Sequence, residues 1–168
     1  AAYDAVLLGW NYLRQRRIDP ENYVLAHQQF EKALQLDPNY NRAHLYMAAT
    51  YWWASWHERF IKLGVDFQEG VDRANGYLKT AMKSPSPLGH QLRAEMFRWY
   101  GQFDKAVAEA DRAITLDANN PEAHSVKGYA QLFAGQTRPA LKSFDLADRL
   151  DPENTHSRWM GRGIARLF

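Results

Sequence analysis

The chain has 168 residues, enough for one domain with a sizeable core, and its 46% apolar and 24% charged content is ordinary for a globular protein. A net charge of +2 is too small to imply nucleic acid by itself, and no apolar run approaches the roughly 18 residues that a membrane helix needs. Cysteine is absent, which excludes disulfides, thiolate metal sites and cysteine nucleophiles.

The first helix, "AAYDAVLLGWNYLRQR", has no basic segment ahead of its apolar stretch, so it does not read as a signal peptide and a cytoplasmic location is expected. A second helix is predicted from Asp19-Pro20-Glu21, which has the form of an N-cap, a first-turn proline and an acid favoured by the helix dipole. It stops at Leu36-Asp37-Pro38, because Asp disfavours the helix interior and Pro lacks the N–H that a continuing helix needs. A third helix begins near Asn41 and runs into "YWWASWHERF", which packs three tryptophans into ten positions. A short turn at Leu63-Gly64-Val65 then leads to a fourth helix capped by Asp66.

On the third helix Leu45, Ala49, Trp52, Trp56 and Phe60 share one side, with Trp53 and His57 on an adjacent strip and Tyr51 on a third. The fourth carries Phe67, Val71, Ala74, Leu78 and Ala81 as one stripe. Gly70 and Gly76 each cost about 1 kcal/mol in a helix interior, so a facing tryptophan is expected to use the missing side chain. Trp56 and Phe60 are expected to pack on the fourth helix, while Trp52 or Trp53 faces outward.

Three segments align without gaps: "FEKALQLDPNYNRAH" from Phe30, "ADRAITLDANNPEAH" from Ala110 and "FDLADRLDPENTHSR" from Phe144. In the middle copy Ala118 replaces proline, so the helix break is expected further downstream, at Asn119-Asn120-Pro121. Ala110 and Phe144 lie 34 residues apart, and Gly128, Gly135, Ala140, Phe144, Ala147 and Pro152 match the small and aromatic positions of the tetratricopeptide (TPR) motif, which this stretch resembles. The motif has a physical basis: antiparallel helices approach closely only where one presents Gly or Ala and the other fills the adjacent space with a large side chain.

Carried outward, this register gives repeats over residues 3–40, 41–86, 87–120 and 121–154, and a final helix over 156–168. The first repeat matches with Leu8, Gly9, Tyr12, Ala26, Phe30, Ala33 and Pro38, the second with Ala48, Tyr51, Ala74, Leu78 and Ala81. The third matches with Ala94, Phe97, Gly101, Ala106, Ala110 and Ala113, and the final helix with Trp159 and Gly163. The resemblance implies one all-α domain, a right-handed solenoid of antiparallel helix pairs. In the second repeat the helices are about 14 residues further apart than in the fourth, so that hairpin is expected to be longer by ~10 Å.

In TPR arrays the first helix of each pair lines a concave groove. The resemblance carries the groove positions onto Val6, Trp10, Leu13 and Arg14, then Arg42, Leu45, Ala49, Trp52 and Trp53. They continue as Gln91, Glu95, Arg98 and Trp99, and as Ser125, Tyr129, Leu132 and Phe133. Aromatics edged by Arg suit an apolar peptide or helix with some acidic side chains, so a protein partner is expected. Ile164, Leu167 and Phe168 give the final helix an apolar face, on which a homodimer contact is expected. The chain is accordingly expected to be a piece of a longer protein. Its first two repeats, "AYDAVLLGWNYLRQR" and "AHQQFEKALQLDPNYNRAHLYMAATYWWASW", are similar to the C-terminal TPR region of bacterial class III adenylate/guanylate cyclase-type proteins. That implies a partner-recruiting module of a larger signalling protein, with no cyclase residue in this chain.

Other chemistry fails on spacing. His57-Glu58 begins a zinc-protease pattern, but position 61 is Ile where the second His is required. Gly161-Arg162-Gly163 lacks a preceding strand and has Arg166 where a dinucleotide loop needs its third Gly. His44, His90 and His124 recur at one place in successive repeats, about 10 Å apart by helix diameter, too far to share a metal. A packing role in place of the motif's usual Trp is expected for them. No catalytic arrangement stands out, so no enzyme, metal or cofactor is expected. The clamp that grips acidic chaperone tails is missing, since its basic positions hold Val6, Trp10, Leu88 and Leu92. The scattered basic residues argue against RNA.

Overall fold

A computed structural model describes residues 1–13, 20–55, 63–153 and 156–166. Among the described residues there are nine α-helices and no strand: α1 (Ala2–Leu13), α2 (Pro20–Leu36), α3 (Asn41–Ser55), α4 (Phe67–Ala81), α5 (Pro87–Trp99), α6 (Phe103–Leu116), α7 (Pro121–Phe133), α8 (Thr137–Leu150) and α9 (His156–Ala165). The fold is an all-α helical repeat. The chain divides into two compact units, Ala1–Ser84 and Pro85–Phe168. In the first, α1 pairs with α2 and α3 with α4; in the second, α5 pairs with α6, α7 with α8, and α9 rests on α7 and α8.

Within the pairs of the second unit the chain reverses on a glycine. Gly101 and Gly135 take φ of +71° and +75°, a conformation that costs other residues a Cβ clash. The N–H of Gln102 then donates to Phe97 O and that of Gln136 to Gln131 O, both at 2.8 Å, which satisfies carbonyls left over at the helix end.

Between the pairs, the stop is made by aspartate. α2, α6 and α8 all end on the Leu of a Leu-Asp step, although only two of the three have proline next. Asp37 Oδ1 accepts from Asn39 N at 3.0 Å, and Asp117 Oδ1 accepts from Asn119 N at 3.2 Å. The break in the middle copy is therefore not displaced downstream by Ala118, because the Asp side chain forms the same turn without proline. Asn120 serves instead as the N-cap of α7, accepting from Glu122 N and Ala123 N at 3.0 and 3.1 Å.

The pairs close on small residues, as the repeat pattern requires. A Cβ placed on Gly9 would lie 2.5 Å from the Phe30 ring, and one on Gly128 would lie 2.7 Å from Phe144. Both phenylalanines are fully buried. Each ring occupies the volume that a side chain on the facing helix would need.

The second hairpin departs from the expected division of its aromatics. α4 starts as expected, with Asp66 as N-cap accepting from Glu69 N at 2.8 Å, after a turn with Gly64 at φ +71°. α3, however, is buried on every side: Ala43, Leu45, Met47, Ala49, Thr50, Tyr51, Trp52 and Ala54 are all inside. A helix that is apolar all round is a core element, and its stripes do not divide into an inner and an outer face. Gly76 is exposed with nothing within 4 Å of a Cβ position, so no tryptophan fills the space beside it. The roles expected for Trp56, Phe60 and the extended hairpin tip fall on residues 56–62, outside the described residues.

Candidate functional site

In the first unit four of the nine expected groove residues are interior. Trp52 is 1% exposed, and Leu45, Val6 and Ala49 are buried with it, which corrects the expectation that they floor an open surface. Trp53 and Leu13 are half-buried, Arg42 is exposed, and Arg14 lies outside the described residues. Trp10 stacks flat on Tyr46, with centroids 4.7 Å apart at 11°. Burial raises the Tyr46 pKa, against a smaller opposing effect of Arg42.

Behind α3 is a polar knot that the sequence did not signal. The Tyr51 hydroxyl, on a 1% exposed side chain, accepts from Arg73 Nη1 at 3.0 Å and lies 2.9 Å from His27 Nε2. While Arg73 donates to the oxygen, the hydroxyl keeps its own proton to offer His27 Nε2 in the tautomer that leaves that nitrogen unprotonated. Burial lowers the His27 pKa and outweighs the opposing pull of Glu31.

The second unit keeps an open surface. On α5 and α7, Trp99 and Phe133 are 49% and 48% exposed. The Arg98 guanidinium lies 5.8 Å from the Tyr129 ring centre and 5.7 Å from that of Phe133, within cation–π range. Phe103, at the start of α6, stacks on Phe133 at 6.1 Å and extends the aromatic surface; its place after the Gly101 turn was its only sequence signal. Burial lowers the Arg98 pKa, partly offset by Glu95, and raises that of Tyr129. Gln91 and Leu132, expected in the groove, are buried, while Glu95 is half-buried and accepts from Gln91 Nε2 at 3.0 Å. Ser125, also expected there, is buried and donates to Pro121 O at 2.9 Å within its own helix. The expected groove side chains of these two helices thus divide: Gln91, Ser125 and Leu132 face inward, while Arg98, Trp99, Tyr129 and Phe133 form the surface.

The recurring histidines are used by their own turns and helices. His44 Nε2 lies 2.8 Å from Pro38 O and His124 Nε2 lies 3.0 Å from Ala118 O. A carbonyl only accepts, so Nε2 carries the proton in both, and each imidazole ties its helix to the turn six residues earlier. His90 differs: its Nδ1 lies 2.7 Å from Glu109 Oε2, a buried carboxylate that Arg112 and Arg93 also reach. Among the described residues no group of three His, Asp or Glu could hold a metal ion.

On α9 the expected apolar face is rearranged. Ile164 is half-buried and packs against Leu132, Ala140, Phe144 and Ala165, so it is occupied within the unit; Leu167 and Phe168 lie outside the described residues. The exposed apolar residues are Trp159 and Met160, at 63% and 66%. Arg158 is fully buried and bonded to Asp148 and to Asp151 O, while Arg162 pairs with Asp145 and Asp148.

No protein-family model and no curated protein matches the chain. Among solved structures it is similar to TTC0263, a thermophilic TPR protein of Thermus thermophilus, at 19% identity and TM-score 0.66 over 100% of both chains. PilF of Pseudomonas aeruginosa is similar at 16% identity and TM-score 0.66, over 99% of this chain and 72% of that one. YrrB, a TPR protein with an unusual peptide-binding site, is similar at 18% identity and TM-score 0.57, over 98% of this chain and 81% of that one. At these identities the likeness concerns the fold: the chain has the TPR architecture.

Proposed function

We propose that the protein is a non-catalytic interaction module whose second unit binds a peptide or helix of a partner protein across α5 and α7. One observation carries the reading: Trp99 and Phe133 are about half exposed, and Arg98, the residue before Trp99, lies against the Tyr129 and Phe133 rings. Large exposed aromatics beside an immobilised arginine are the side chains over-represented at binding hot spots. Arg98, desolvated but still cationic, favours a partner with an acidic side chain next to an apolar one.

The wider setting rests on the resemblance of the first two repeats to the TPR region of class III cyclase-type proteins. On that basis we read the module as the partner-recruiting part of a larger bacterial signalling protein. Peptides selected from a random 16-residue display library on the immobilised protein provide the test. Their affinity should fall at least tenfold for Trp99→Ala and for Phe133→Ala, about the loss of one hot-spot anchor, with circular dichroism unchanged. Selected peptides that bind both variants at full strength would refute the site.

A further inference from the structure

At the seam of α5 and α6, Glu109 is 3% exposed and both of its carboxylate oxygens are in use. Oε2 lies 2.7 Å from His90 Nδ1, Arg112 Nη1 donates to Oε1, and Arg93 Nη2 lies 3.6 Å from that same oxygen. Arg112 stands three residues further along α6 and Arg93 belongs to α5, so one acid gathers a cation from each helix. The two cations are not buried with it: the Arg93 side chain is 37% exposed and that of Arg112 61%. Among the described residues neither guanidinium has another protein acceptor. Arg93 also lies against Phe97, with Cζ 5.9 Å from the ring centre, and Lys105 Nζ lies 5.6 Å from the same ring. Lys105 donates to Gln102 Oε1 at 2.9 Å, which uses one of the three donors of an ammonium group.

The charges at this seam do not balance. Arg93, Lys105 and Arg112 bring three positive charges against the one negative charge of Glu109, an excess of two. The acids beside them are used or turned away: Asp111 pairs with Lys127 at 2.6 Å, Glu95 accepts from Gln91, and Asp104 is exposed on the neighbouring strip of α6. A buried carboxylate that fixes two arginines, each with N–H groups left over, is a preformed fork for an oxyanion.

We propose that the α5–α6 seam binds the phosphoryl group of a phosphorylated side chain in a protein segment. Arg93 and Arg112 are the binding residues, and Glu109 is the positioning residue. A phosphorylated side chain carries a charge of about −1.5 to −2 at neutral pH and three strong acceptor oxygens, which matches both the excess charge and the paired forks. A carboxylate brings half that charge. A nucleic-acid strand spreads single charges along a path, whereas the excess here sits at one point.

The probe is a short peptide with a central phosphoserine between glycines, titrated at constant ionic strength into the nitrogen-15-labelled whole chain. At about pH 7.5 its phosphate is a dianion, the second pKa being about 6. The Nε–H signals of Arg93 and Arg112 should shift together and saturate. Arg93→Gln and Arg112→Gln should each weaken binding at least fivefold with circular dichroism unchanged, and the same peptide with glutamate for phosphoserine should bind at least tenfold more weakly. Glu109→Gln separates a positioned pair from a mere patch of charge. It leaves one positive charge more, so a patch would bind the phosphopeptide more tightly, whereas loss of positioning should weaken binding at least threefold. The arginine variants keep the test valid if Glu109→Gln disturbs the fold. Shifts that do not saturate, equal affinity for the glutamate peptide, or tighter binding by Glu109→Gln overturns the proposal. Inorganic phosphate and a short oligouridylate are titrated alongside. Free phosphate bound at least tenfold more tightly than the peptide would make this a small-anion site, and RNA bound more tightly through the same arginines would give it to nucleic acid; either overturns the protein-borne ligand. Because Trp99 and Phe133 play no part in it, the outcome is independent of the α5–α7 site.

Discussion

Changing Gly128 to Ala adds one methyl group to α7, and changing Gly163 to Ala adds the same methyl to α9. Alanine is preferred to glycine in a helix by about 1 kcal/mol, and both positions are helical, so that gain is common to the two variants. The packing differs. At Gly128 the new carbon would sit 2.7, 2.8 and 3.0 Å from three atoms of the Phe144 ring. The ring cannot retreat, because a Cβ position on Gly161 lies 2.7 Å from its Cζ on another side and the residue is fully buried. Overfilling a packed core in this way costs roughly 1–3 kcal/mol. Gly163 is open, so nothing offsets its gain. The two variants should therefore differ by about 1–3 kcal/mol in urea unfolding, with Gly163→Ala the more stable and at or above wild type. If Gly128→Ala proves as stable as Gly163→Ala, the close approach of α7 and α8 does not govern packing and the repeat register fails.

Trp52→Ala should cost about 3–5 kcal/mol by thermal or chemical unfolding, the usual penalty for emptying a large buried aromatic site, and the half-buried Trp53→Ala distinctly less; equal losses would contradict their placement. His27 has a folded pKa below its unfolded value, so the folded state binds fewer protons and stability is fully present above about pH 6.5. It should decline as pH falls through the unfolded value toward the folded one, because burial disfavours the charged imidazole and the Arg73 charge adds to that. His27→Gln should flatten that part of the stability–pH curve, and an unchanged slope would exclude His27 as its source.

Much of the helix order was legible because its causes are local. Caps at Asp66 and the stops at Leu36, Leu116 and Leu150 depend on a few adjacent residues, and the Gly9–Phe30 and Gly128–Phe144 contacts follow from the repeat spacing. The displaced break at Ala118 was misread because proline is the more visible signal, although aspartate closes the turn alone. Which tryptophan faces outward was not legible. Trp52 and Trp53 differ by about 100° around one helix, and on a helix apolar all round no polar side marks the exterior. The surface residues that resulted, Trp99 and Phe133, were among those carried over by the resemblance, while Phe103 and the polar group at Tyr51 depend on contacts between residues far apart in the chain.

The burial pattern also determines how the molecule can be watched. Of six tryptophans only Trp99 and Trp159 belong to the second unit, and both are exposed, at 49% and 63%. Trp99 stands on the proposed docking surface, which therefore carries its own intrinsic fluorophore. Four tryptophans lie in the first unit, among them Trp52 at 1% exposure, which supplies a core signal that iodide does not reach. Replacing Trp159 with phenylalanine would leave Trp99 as the single tryptophan of the second unit. Since the chain has no cysteine, a single introduced thiol could hold an acceptor dye at any chosen site, and energy transfer from Trp99 would then report a bound partner without disturbing a native residue of that surface.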